Sequence, residues 1–130
     1  MEKTNNSSDV LLTAIIEGIF EKKGNEVVRL DLKKLDQTIC DYFIICHGDS
    51  NTQVEAIAES VEYQVEKSTG QNASHKEGIK NSHWVLLDYS DVIVHIFQKD
   101  YREYYHLEDL WADARIMKYK DNPAITVNNS

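Results

Sequence analysis

The sequence predicts an α/β domain in which a mixed sheet of about five strands is covered by two long helices. Three observations carry this. Apolar residues recur at helical spacing over Val10–Lys23 and again from Ser50 to Thr69. Trp84–Leu87 and Val92–Phe97 are strand-like apolar runs joined by the turn-prone Asp88-Tyr-Ser-Asp91, the pattern of a tight β-hairpin. Asp41–Cys46 is short and almost wholly apolar, as a central strand buried on both faces must be.

Asp9 is suited to cap the first helix, whose apolar face comprises Leu12, Ile15, Ile16, Ile19 and Phe20. Gly24 ends it. In Glu26–Leu32 the residues Val28, Leu30 and Leu32 alternate with Val27, Arg29 and Asp31, which predicts a half-exposed strand. Lys33–Thr38 is polar and reads as a turn. After the central strand and the break at His47-Gly48-Asp49, Ser50 or Asn51 caps the second helix. Val54, Ile57, Ala58, Val61 and Val65 form its buried face, while Glu55, Glu59, Glu62 and Glu66 face water. Gly70 closes it.

Asn72–Gly78 reads as a short edge strand and Ile79–Ser82 as a loop. The hairpin follows. In its second arm Val92, Val94 and Ile96 point one way and Ile93, His95 and Phe97 the other, so one face builds a core. The other is an aromatic and imidazole surface, expected to be exposed and to await a partner. Asp100–Tyr105 supplies one or two helical turns capped by Asp100, and Leu107, Leu110 and Trp111 begin a last short helix reaching Ala114. The second helix is expected to lie over the sheet as a right-handed crossover, with the first helix on the same or the opposite face.

One domain spans residues 1–119, and residues 120–130, which contain the only proline, Pro123, form a polar tail expected to be disordered. Met1–Ser8 lacks the charged-then-apolar pattern of a secretory signal and reads as a frayed lead-in, so a cytoplasmic protein is expected. No apolar run is long enough to span a membrane. Cys40 and Cys46 would be roughly 20 Å apart on a straight strand, too far for a disulfide, and read as buried reduced thiols.

A formal charge of −8 argues against direct binding along a nucleic-acid backbone, which takes a basic stripe. Lys22-Lys23 and Lys33-Lys34 are short doublets among acids. Such a chain is attracted instead to basic proteins.

The catalytic alternative is a metal-dependent, nucleotidyltransferase-like enzyme. Asp88, Asp91 and Asp41 would hold magnesium, and Gly48 before a helix N-terminus would cradle phosphate. The pieces are incomplete. Gly48-Asp49-Ser50 puts a carboxylate where a triphosphate would sit, and Asp88 and Asp91 are separated by two residues across a turn, where aspartates serve backbone geometry. Cys46 and His47 are adjacent on a strand and face opposite ways, so they cannot pair as nucleophile and base. No metal or cofactor is expected, because no Cys/His set has ligand spacing. His75, His83 and His106 read as polar surface residues.

Tyr101, Tyr104, Tyr105 and Trp111 fall close together around Arg102, residue types that anchor protein interfaces. Leu107, Leu110 and Trp111 also read as core.

Three segments resemble one family in order and spacing: Asp41-Tyr-Phe-Ile-Ile-Cys-His-Gly48 with Ser50-Asn-Thr-Gln-Val54; Glu77-Gly78 with Trp84–Phe97; and Arg102-Glu-Tyr-Tyr-His-Leu-Glu-Asp-Leu-Trp-Ala-Asp-Ala114. Together they cover Val10 to Ala114 and resemble the Iojap family, the ribosomal silencing factors. The resemblance implies a nucleotidyltransferase-like topology without the active site. It also implies a non-enzymatic translation repressor that binds large-subunit ribosomal protein fourteen and sterically blocks joining of the subunits under nutrient limitation. Carried onto this chain, the expected partner-binding residues are Trp84, Tyr89, Asp91, His95, Tyr104, Leu107, Glu108 and Trp111. Asp91 and Glu108 would meet lysine or arginine, and the aromatics would form the desolvated centre. A homodimer is a further expected use of this face. Asp41, Gly48 and Asp88 are assigned to structure. Two positions depart from the family pattern: Ser90, where glycine is common, implies a turn that avoids a glycine-only conformation, and His47 replaces a smaller residue.

Overall fold

The computed structural model describes residues 7–35 and 40–120. The expected C-terminal tail from Asp121 onward, most of the Met1–Ser8 lead-in and the end of the Lys33–Thr38 turn lie outside these residues. The elements run α1 (Ser7–Glu21), β1 (Asn25–Asp31), β2 (Tyr42–Gly48), α2 (Asn51–Thr69), β3 (His75–Glu77), β4 (Trp84–Asp88), β5 (Val92–Gln98), α3 (Lys99–Tyr105), a 3-10 helix (Leu107–Trp111) and β6 (Arg115–Tyr119). The sheet has six strands in the order β3-β4-β5-β2-β1-β6. It is mixed: β2 and β5 are parallel, and every other neighbouring pair is antiparallel.

Local sequence explains the long helices. Ser50, extended at φ −144°, accepts the Gln53 amide at its side chain, and Gly70, left-handed at φ 77°, donates its N–H to Glu66. Val54, Ile57, Ala58, Val61 and Val65 are buried at the expected spacing. Helix α1 begins two residues before Asp9, which therefore sits in the first turn rather than at the cap. Both helices lie on one sheet face, packed against each other as well as on Ile44, Cys46, Val94 and Ile96. Gly18 makes this close packing feasible: a Cβ there would lie 2.7 Å from Val61 Cα.

Register sorts the opposite sheet face into rows. Leu30, Phe43 and Ile93 are lateral neighbours; so are Val28, Ile45, His95 and Leu86, and then His47, Phe97 and Trp84. The alternation in β5 is as expected, but the expected exposure of its second face is overturned. Ile93, His95 and Phe97 are buried, because the chain after β5 folds back as α3 and the 3-10 helix and packs Leu107, Trp111 and Tyr101 onto them. A left-handed residue, His106 at φ 50°, turns the chain between the two short helices.

Strand β6 has no counterpart in the sequence reading. Its residues are largely exposed and pair with β1 at the sheet edge, so burial imposes little alternation on them. The expectation for Ser90 is also corrected: it adopts φ 72°, the glycine-like conformation the turn was expected to avoid. Asp88 compensates by accepting the Ser90 amide at 2.8 Å. Cys40 and Cys46 are buried free thiols, and burial pushes their pKa values to about 11 and about 12.

Candidate protein-docking surface

The sheet face opposite the long helices carries a continuous array of rings. Tyr104 meets Tyr105 at 5.2 Å between centroids, and Tyr105 meets Trp84 at 5.0 Å. Trp84 stacks on Phe97 at 4.7 Å and lies 5.9 Å from His95. His95 meets Phe43 edge-on at 4.6 Å, and Phe43 in turn meets Trp111 at 5.6 Å. Sheet register supplies the middle of the array, and α3 and the 3-10 helix supply its two ends.

Four of the expected docking residues, Trp84, His95, Tyr104 and Trp111, therefore belong to one array, at different depths. Tyr104 is 79 % exposed, while Trp84 and Trp111 are half-buried. His95 is 4 % exposed, which corrects its expected role in direct contact. Its Nδ1 accepts the Trp84 indole N–H at 3.1 Å. The indole can only donate, so the neutral ring carries its proton on Nε2. That atom is buried without a hydrogen-bond partner. Burial lowers the His95 pKa to about 4, so the imidazole is uncharged at neutral pH.

Three other expected contacts are also relocated. Tyr89 is buried on the helix side of the sheet, and its phenol pKa is raised by burial and by Glu62. Leu107 is buried and anchors the 3-10 helix. Glu108 already has a cation inside the chain: its Oε2 accepts from Arg102 Nη2 at 2.6 Å and Nε at 3.2 Å. Asp91 is exposed at the hairpin turn, where its carbonyl accepts the Asp41 and Tyr42 amides. The Asp88 side chain accepts the Ser90 amide within the hairpin turn, and Asp41 joins it through its backbone amide.

Arg102 itself is buried, not an exposed anchor. Its Nη1 donates to His47 Nδ1 at 2.9 Å and to the Asn25 carbonyl at 3.4 Å. Burial, aided by the Arg102 charge, lowers the His47 pKa and keeps that nitrogen an acceptor. Sequence reasoning missed this cluster, because partners at 25, 47, 102 and 108 have no common periodicity. It also read Leu110 as core, whereas Leu110 is 74 % exposed, and it named Tyr105, 46 % exposed, among the aromatics but left it out of the docking set. The segment 99–114 sets five carboxylates, Asp100, Glu103, Glu108, Asp109 and Asp113, against Lys99 and Arg102. The segment that supplies the two ends of the array is thus net acidic.

The phosphate-cradle geometry is occupied from within. The Asp49 amide donates to Gln53 Oε1 at 2.7 Å and the Gln53 amide to Ser50 Oγ at 3.1 Å. The Gln53 side-chain amide goes on to the carbonyls of Lys22 and Lys23 that end α1. Among the described residues no group of three or more His, Cys, Asp or Glu side chains converges to hold a metal ion. No helix among them is long and apolar enough to cross a membrane.

Comparison with known proteins agrees with the motif resemblance. The family profile described as "Ribosomal silencing factor during starvation" matches residues 4–130. The chain is 43 % identical over 108 residues to the ribosomal silencing factor RsfS of Halalkalibacterium halodurans, covering 83 % of this chain and 91 % of that protein. It is 38 % identical over 73 residues to the chloroplastic protein Iojap of Zea mays, covering 56 % of this chain and 31 % of that one. A crystal structure of a Chromobacterium violaceum protein superposes with a TM-score of 0.74 at 35 % identity, over 83 % of this chain and 88 % of that one. The chain belongs to the RsfS family of ribosomal silencing factors.

Proposed function

We propose that this chain represses translation by docking on the large ribosomal subunit through its aromatic array. The partner surface is ribosomal protein fourteen of that subunit, and occupation of it leaves no room for the small subunit to join. Repression operates in the cytoplasm under nutrient limitation and makes or breaks no covalent bond.

The observation that carries this reading is that exposed Tyr104 and Tyr105 and half-buried Trp84 and Trp111 join one ring array, and that Leu110, next to Trp111 in the chain, is also exposed. Large apolar residues gathered in one exposed place mark interaction sites, and tyrosine and tryptophan are the types that most often dominate binding energy. The net acidic segment 99–114 complements a basic ribosomal protein, speeding encounter and fixing orientation. Asp91, at the hairpin turn, remains available to a lysine or arginine. His95 and Leu107 contribute by shaping the face from beneath, while Tyr89 belongs to the helix-side core.

Purified large and small subunits mixed with the chain and resolved on a sucrose gradient test this. The joined particle should diminish while the chain travels with the large subunit. A chain that stays at the top of the gradient, or leaves joining unaffected, contradicts the proposal. A second copy of the chain is the competing occupant of the same apolar face. Light scattering before and after adding large subunits separates the two uses: a dimer that dissociates shares the surface with the ribosome.

A further inference from the structure

Glu108 is the residue at which a direct-contact reading and the geometry part. A carboxylate that meets a partner's cation should be free to do so, yet Glu108 Oε2 is held by two nitrogens of Arg102 at 2.6 and 3.2 Å. Arg102 is fixed in turn. Its side chain is 10 % exposed and its remaining donors go to His47 at the end of β2 and to the Asn25 carbonyl at the start of β1. One guanidinium therefore connects α3, the 3-10 helix and the ends of two sheet strands. Among the described residues the 3-10 helix is otherwise held to this sheet face by apolar packing, through Leu107 and through Trp111, which meets Phe43 edge-to-face.

From this geometry we infer that Arg102 is a positioning residue for docking: with His47 it latches Glu108, and so holds the 3-10 helix with Leu110 and Trp111 facing the partner. Glu108 acts inside the chain rather than across the interface. The inference rests on the docking reading above and changes what Glu108 does within it. Its chemistry is suited to the task. A planar fork of donors puts two N–H groups on a carboxylate and a third on an imidazole in one fixed geometry, which a freely rotating ammonium does not impose. His47 can serve because burial keeps its Nδ1 unprotonated. Glu108 remains 27 % exposed at its side chain, so the latch is reachable by water and can open without unfolding the sheet.

A double-mutant cycle on the full chain tests this with Arg102→Gln, Glu108→Gln and the double variant. Two readouts are taken: affinity for purified large ribosomal subunits, and amide hydrogen exchange resolved over residues 107–111. The latch predicts that each single variant weakens binding about tenfold and speeds exchange of that segment, with β2 and α2 still protected. The double variant should be no worse than either single, within about twofold, because both remove one device. Losses that multiply, or a Glu108→Gln variant that binds weakly with unchanged exchange, would overturn the inference and return Glu108 to direct contact. If Arg102→Gln folds poorly, Glu108→Gln decides alone by the same two readouts, since it leaves Arg102 on His47. Wild type that fails to bind large subunits would instead contradict the docking reading, and the exchange of 107–111 in the two single variants would still decide whether the latch exists.

Discussion

The Trp84 indole N–H donates to His95 Nδ1 at 3.1 Å, between residues in adjacent rows on the buried side of the hairpin. This bond ties the half-exposed indole to an imidazole with almost no solvent contact. It makes the orientation of a surface aromatic depend on a core residue, and it holds only while that imidazole is neutral.

Stability should therefore fall in acid. The unfolded imidazole takes up a proton below its ordinary 6.5, whereas burial keeps the folded one neutral down to about 4. The unfolded chain binds more protons across that window, so His95 stabilises the fold fully above pH 6.5 and loses that contribution on descent to 4, by roughly 3 kcal/mol. His47, lowered by burial and by Arg102, adds to the same slope. His95→Asn keeps an acceptor for the indole and removes the titration. Urea unfolding at stepped pH should show a flatter profile for it, and an unchanged slope would show that another group is responsible.

Gly18→Ala should destabilise the chain although alanine favours helix. The added methyl would sit 2.7 Å from Val61 Cα and 2.9 Å from the Ser60 carbonyl oxygen, both backbone atoms that cannot rotate away. Forcing the helices apart should cost about 1–3 kcal/mol, exceeding the gain in helix propensity of about 1 kcal/mol. The urea midpoint measures it, and a rise would contradict the close approach.

Ser90→Gly should stabilise. Ser90 holds φ 72°, a left-handed conformation that costs an ordinary residue about 1–2 kcal/mol. Glycine relieves this and surrenders about 0.5–1 kcal/mol to backbone entropy in the unfolded chain. The amide that Asp88 accepts is unchanged by the substitution. Thermal unfolding should report a net gain of up to about 1 kcal/mol; a loss would mean that the serine hydroxyl does something further in the turn.

The helix layer was legible because each of its determinants is local. Ser50, the spacing from Val54 to Val65 and Gly70 sit within one stretch of chain, and the structure places α2 at Asn51–Thr69. The hairpin was legible for the same reason. What escaped depends on distant partners. Strand β6 is defined by pairing with β1, some eighty residues away, and is too exposed to show a period. The covering of His95 follows from the left-handed turn at His106, a conformation uncommon outside glycine that histidine adopts more readily than most residues but that nothing in the sequence marks here. Alternation in β5 thus identified the face that matters but not its depth. Leu110, read as core with Leu107 and Trp111, is 74 % exposed, although three-residue spacing in a 3-10 helix would align it with buried Leu107.

Equilibrium binding to purified large ribosomal subunits tests the central claim most directly, using two variants that alter exposed aromatics on opposite layers of the molecule. Tyr104→Ala with Leu110→Ala removes the most exposed ring of the array and exposed Leu110 without touching the core, and Tyr63→Ala removes an exposed tyrosine, 61 % accessible, from α2. The first should bind at least about tenfold more weakly, and the second should stay within about twofold of the parent chain. Equal affinity of the array variant and the parent, or a loss at Tyr63 instead, would contradict the assignment of the ribosome-facing surface.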